Sequence, residues 1–136
     1  MIYRILLLLL TTTAFTTGDP VHISMSIRCS PTNSVYCGVL YVYEVDYGAS
    51  HDVIKKEEFC VDPALYKKDF NWDYSGGDAS PQYEITYQLS HNCTSKGVYR
   101  CINPEPVDVW VFGEQKVHFD LNAYENGTLS ACLPMY

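Results

Sequence analysis

Tyr83-Glu84-Ile85-Thr86-Tyr87-Gln88-Leu89 decides the fold class. Apolar side chains fall at every second position with polar ones between, which puts one face of an extended strand in a core and the other toward water. The same period recurs on both sides of it. Val21, Ile23, Met25 and Ile27 alternate with His22, Ser24, Ser26 and Arg28, and that run ends at Cys29 and a Ser30-Pro31-Thr32-Asn33 turn. Val39 to Val45 is apolar on both faces, so it is expected to be central in its sheet. Val53 to Phe59 reads as a strand with a charged outer face, and Phe70, Trp72 and Tyr74 line one side of a shorter strand that Gly76-Gly77 closes. Val107, Val109 and Val111 alternate with Asp108, Trp110 and Phe112. After the Gly113-Glu114 turn, Val117, Phe119 and Leu121 continue the pattern, and these two runs are expected to form a hairpin. A last strand is expected around Thr128 to Cys132. Only Pro63 to Lys68 has room for a helical turn or two. Short strands at this spacing predict an all-β, Greek-key sandwich of seven to eight strands, immunoglobulin-like in architecture.

The first residues set the compartment. Arg4 gives a positive start, Ile5 to Leu10 an apolar core, and Thr11 to Gly18 a stretch of mostly small residues suited to signal peptidase. The apolar run is well short of the roughly 20 residues that cross a bilayer. Residues 1–18 therefore read as a signal peptide and 19–136 as one domain, secreted and with no membrane span. All six cysteines (Cys29, Cys37, Cys60, Cys93, Cys101 and Cys132) lie in that domain, and an even number in an oxidising compartment reads as three disulfides. Cys93 and Cys101 flank a polar, glycine-containing segment that can double back, so they are expected to pair. The other four allow three pairings.

Composition narrows the function classes. The chain carries a net charge of −7, and losing Arg4 with the leader makes it more acidic, which disfavours nucleic acid and anionic membrane surfaces as partners. No C-x-x-C pair occurs, and His22, His51, His91 and His118 are scattered singly, so neither zinc nor another cofactor is expected. Asp69, Asn71 and Asp73 have the opening spacing of a calcium loop, but Tyr74 and Ser80 stand where its glycine and glutamate belong. No G-x-S-x-G or H-E-x-x-H is present, and no cysteine is left free, so an enzyme is not expected and no catalytic residue is assigned. Asn126-Gly127-Thr128 and Asn92-Cys93-Thr94 are N-glycosylation acceptor sequences. A glycan is expected at Asn126, whereas early disulfide closure at Cys93 leaves Asn92 open either way.

Several of these residues together resemble the nematode-type transthyretin-like family of small secreted proteins. The likeness is carried by the strand ending in Cys29, Tyr41-Val42-Tyr43-Glu44-Val45-Asp46, the Ser75-Gly76-Gly77 turn, Leu89-Ser90-His91-Asn92-Cys93 with Cys101 soon after, Phe119-Asp120-Leu121, and Leu129 leading into Cys132. The histidine two residues before a cysteine is the most specific of these. The resemblance implies a transthyretin-like sandwich, pairs Cys93 with Cys101 and Cys29 with Cys132, and leaves Cys37 for Cys60. It also implies an extracellular role. A related branch of that fold hydrolyses 5-hydroxyisourate with a C-terminal Tyr-Arg-Gly-Ser tail, but this chain ends Leu133-Pro134-Met135-Tyr136. The expectation is therefore a secreted, non-enzymatic glycoprotein that acts as a ligand or bridging factor for a receptor or another extracellular protein. The alternative is a carrier of a small apolar ligand, and a hydrolase is the third choice.

Overall fold

The computed structural model describes residues 19–31, 34–46, 50–63, 65, 67–76 and 80–135. The expected signal peptide lies outside them, as do Thr32, Asn33, Tyr47, Gly48, Ala64, Tyr66, Gly77 and Tyr136. Among the described residues eight strands run in order: β1 (Val21–Arg28), β2 (Tyr36–Glu44), β3 (Asp52–Val61), β4 (Lys67–Tyr74), β5 (Gln82–His91), β6 (Arg100–Ile102), β7 (Val107–Trp110) and β8 (Gln115–Asn122). They form two sheets. The smaller has the order β4-β1-β8, and the larger has β3-β2-β5-β6 with β7 also paired to β5. No helix occurs among the described residues, and Lys67 and Lys68 open β4 rather than extending a helical turn.

The core lies between the sheets, where the period-2 patterns meet. Val21, Ile23, Met25 and Ile27 of β1 face Leu40 and Val42 of β2 and Tyr83, Ile85 and Leu89 of β5 across one buried cluster. Full burial of each aliphatic side chain is worth roughly 1.5–3 kcal/mol. Phe70, Trp72 and Tyr74 pack on this cluster from β4, so Asp69, Asn71 and Asp73 point to the opposite, outer face as strand residues. β2 is central, between β3 and β5. The outer edge at β3 is charged, with Lys55 paired to Glu57 and Lys56 to Glu58, a composition that discourages edge-to-edge pairing.

Two pairings differ from the sequence-based expectation. The runs around Gly113 do not make a hairpin: β7 is antiparallel to β5 in the larger sheet, while β8 is parallel to β1 in the smaller one. The connection crosses between the sheets, pinned by Asp19 N–H donating to Val111 O (3.0 Å) and Gly113 N–H donating to Asp19 Oδ2 (2.6 Å). The final strand shrinks to one bridge, in which Cys101 and Thr128 exchange two 2.9 Å backbone hydrogen bonds.

The disulfides are Cys29–Cys93, Cys37–Cys60 and Cys101–Cys132. Cys37 and Cys60 oppose each other across β2 and β3, as expected. The expected Cys93–Cys101 and Cys29–Cys132 pairs are not formed, and strand register explains why. Cys101 sits opposite Ser90, which is three positions before Cys93, or about 10 Å along a strand. Alternation also sends the two sulfurs apart: Cys93 follows the parity of Tyr87 and Leu89 into the core, whereas Cys101 shares the outer face with Ser90. Cys93 therefore meets Cys29 and ties the end of β5 to the end of β1. Cys101 instead captures Cys132 and draws the C-terminal segment over the larger sheet.

Candidate functional site

The outer face of the larger sheet carries Val39, Tyr41 and Tyr43 from β2, opposite Ser90, Gln88 and Thr86 from β5. Such residues are ordinarily half wet, yet Tyr43 is 0% exposed. The cover is a strap, residues 131–135, held by the Cys101–Cys132 bridge. Met135 N–H donates to Tyr43 Oη at 3.2 Å, and the Tyr43 ring stacks on Tyr41 with centroids 5.8 Å apart. Thr86 is covered separately, donating its hydroxyl to Pro104 O at 2.9 Å. Between strap and sheet lies a cavity of about 420 Å³, whose walls include Val39, Tyr41, Gln88, Tyr99, Cys132 and Pro134. That size falls within the range of small-molecule sites. A shallower hollow of about 300 Å³ shares Val39, Glu58 and Tyr99 and continues over the Cys37–Cys60 bridge.

The charge lining the cavity is internally balanced. Lys56 Nζ lies 2.6 Å from Glu58 Oε1 and 5.7 Å from the centre of the Tyr41 ring. The hydrogen bond and charge of Glu58 hold the Lys56 ammonium above its usual pKa, and the same bond lowers that of the Glu58 carboxyl. Gln88, one of the lining residues, is 5% exposed, and its Oε1 is buried with no hydrogen-bond partner.

The β5–β6 end of the larger sheet is held by a polar network. Glu125 accepts from Ser95 N–H (2.8 Å), Ser95 Oγ (2.7 Å) and Arg100 (2.9 Å), and these partners, the Ser95 hydroxyl first, lower its carboxyl pKa. His91 is fully buried beside it. Its Nδ1 accepts the Cys93 N–H at 3.2 Å and its Nε2 donates to Asn126 O at 3.1 Å. Both bonds suit the neutral ring, and burial lowers its pKa. The histidine singled out two residues before a cysteine thus anchors the loop that follows β5.

The acceptor asparagines differ in environment. Asn126 and Thr128 are both exposed in a turn. Asn92 is half-buried, its Oδ1 accepts the Cys37 N–H at 2.7 Å, and Thr94 is buried with its hydroxyl given to Val98 O.

Other chemistry-bearing residues gather where the sequence showed them only singly. On the outer face of the smaller sheet, His22 contacts Asp73 and lies 3.5 Å from Glu114, while Ser24 Oγ lies 2.8 Å from His118 Nδ1. With Trp72 and Lys116, His22, Ser24, Asp73 and Glu114 line an open hollow of about 370 Å³ on that face. Carboxylates of Glu44, Asp46 and Asp52 come within 4.8 Å of one another near the β2–β3 connection. Clusters of acids are common without an ion, so the three by themselves define no site.

Fold and bridges together define a small, disulfide-stapled β-sandwich protein with a strapped outer face. Its family is shown by residues 24–135, which match a family described as Caenorhabditis elegans protein of unknown function (DUF870). The chain belongs to that family. Neither the curated proteins nor the solved structures contain a match.

Proposed function

We propose that the chain is a secreted, non-enzymatic extracellular binding protein of transthyretin-like type, acting as a ligand or bridging factor for a receptor or another extracellular protein. One observation carries this reading. Large apolar side chains stand exposed around the Cys101–Cys132 bridge: Val98 and Tyr99 precede it, and Leu129 and Leu133 are 73% and 85% exposed. Large apolar side chains exposed near one another are a feature of protein-binding surfaces. Three disulfides in so small a domain accord with an extracellular setting, and no helix among the described residues is long and apolar enough to cross a membrane.

The test is to probe a panel of nematode secreted and cell-surface ectodomains with the secreted protein, then with Leu129→Ser/Leu133→Ser. A saturable partner lost on that double substitution supports the reading. No partner in the panel, or a partner indifferent to both leucines, refutes it.

A second reading, a carrier of a small apolar ligand, is favoured by the cavity beneath the strap. Native mass spectrometry of secreted protein should then detect a bound mass that leaves on denaturation.

A further inference from the structure

We infer that the Cys37–Cys60 bridge is a thiol-exchange site, at which a small free thiol is captured as a mixed disulfide on Cys60. The site rests on neither of the readings proposed above. The three bridges differ in what can reach them. Cys29 and Cys93 are buried, and their bridge lies in the core between the sheets. Cys101 and Cys132 are both half-buried, where the strap meets the larger sheet. Cys60 alone of the six cysteines is exposed, and with Cys37 it lines the open hollow of about 300 Å³ that Glu58 and Tyr99 also border. Exchange requires a sulfur that a thiolate can touch, so an exposed bridge is the labile one, whereas a buried bridge opens only with the fold around it.

Position in the sheet selects which sulfur is attacked. The two cysteines oppose each other across the β2–β3 ladder, and β3 is the outer strand of its sheet. An incoming thiolate approaches one sulfur from the side away from the other. For Cys60 that approach comes from beyond the sheet edge. For Cys37 it comes in over the β5 side, where Asn92 Oδ1 accepts the Cys37 N–H at 2.7 Å and Asn92 N–H donates to Cys37 O at 3.1 Å. The thiolate therefore bonds to Cys60 Sγ and the Cys37–Cys60 bond breaks. Its electron pair leaves on Cys37 Sγ, which takes up the proton that the incoming thiol gave to solvent. One thiol is consumed and one is produced, so the step needs no further oxidant or reductant. Without the bridge, β2 and β3 remain joined by a backbone ladder running from Tyr36 opposite Val61 to Glu44 opposite Asp52, so the sandwich should survive the exchange.

Reduced glutathione is the probe, added without denaturant to the secreted, fully oxidised protein at about pH 8, where part of it is thiolate. Timed samples are quenched in acid, alkylated with N-ethylmaleimide and mapped by mass spectrometry. The expected early product carries glutathione on Cys60 and the alkyl label on Cys37. Label on both, left when a second glutathione displaces the first, supports the site equally. The Cys29–Cys93 and Cys101–Cys132 bridges should stay intact, opening at least about tenfold more slowly. Because the freed Cys37 can attack the adduct and close the bridge again, single variants isolate each sulfur. Oxidised glutathione should load Cys60 in Cys37→Ser at least about tenfold faster than Cys37 in Cys60→Ser. Where a single variant is not secreted, the wild-type map decides by itself. All three bridges opening together would mean that reduction follows unfolding, and would overturn the assignment. So would Cys101–Cys132 opening first, no reaction short of denaturation, a wild-type adduct on Cys37 rather than Cys60, or equal loading of the two variants.

Discussion

Replacing Cys101 and Cys132 together by alanine tests both the connectivity and the role of the strap. The bridge closes a separation of 31 residues, and the loop-entropy relation puts the loss at about 3.7 kcal/mol at 25 °C. With a urea m-value of about 1.5 kcal/mol/M, the unfolding midpoint should fall by about 2.5 M. The sandwich itself should persist, because Cys29–Cys93 still joins the two sheets and Cys37–Cys60 still staples β2 to β3. The strap should not persist. Hydrogen exchange at Met135, whose N–H donates to Tyr43 Oη, should quicken relative to amides in β5. Thiol titration of the unfolded variant supplies the sharpest readout. The observed connectivity leaves no free thiol, whereas a Cys93–Cys101 and Cys29–Cys132 arrangement would leave two. Two titratable thiols, or a stability loss below about 1 kcal/mol with Met135 exchange unchanged, would refute this account of the bridge.

Further outcomes follow from the same region. Burial lowers the pKa of His91, so the unfolded chain takes up a proton more readily than the folded one. Stability should therefore be complete above the unfolded value of about 6.5 and decline as pH falls below it; melting temperatures between pH 7.5 and 5.5 should show this slope, and His91→Gln should flatten it. Asn126 should carry a glycan and Asn92 none, read as a mass shift in the secreted protein that Asn126→Gln removes and Asn92→Gln leaves in place. Gly127 has φ of 90°, and a Cβ there would lie 2.3 Å from Cys101 O. Gly127→Ala should accordingly cost about 2–4 kcal/mol in a urea titration, from left-handed backbone strain and disruption of the Cys101–Thr128 pair.

Local periodicity was enough to read most strands but not their partners. The alternation in β1 and β5 is a property of each segment alone, and each appears where the pattern puts it. β6 escaped notice because three residues are too few to show a period. The expected hairpin after Trp110 failed because a turn signal at Gly113 reports only that the chain bends. Whether β8 then pairs with β7 or with β1 is settled by contacts almost a hundred residues away in sequence. The cysteine misreading has the same root: nearness in sequence favoured Cys93 with Cys101, while parity along β5 and β6 separated them. Gln88 was legible as an outer-face residue. Its burial was not, since that depends on a strap drawn back by a bridge the sequence did not specify.

Covering an outer sheet face ordinarily leads to an apolar third layer, and much of this face conforms: Tyr43 is sealed by the strap and Thr86 is satisfied by Pro104. Gln88 does not conform. In a purely structural third layer, an unpartnered carbonyl oxygen beside an unfilled volume costs about 1–3 kcal/mol with nothing in return, and leucine would fill the same place at similar size. Gln88→Leu should therefore raise the stability of the protein by about 1 kcal/mol. Equilibrium urea unfolding of wild type and variant measures the change. If Gln88→Leu is instead destabilising by more than about 1 kcal/mol, the glutamine is serving the packing of the strap, and the cavity beneath it is a gap in that packing rather than a site.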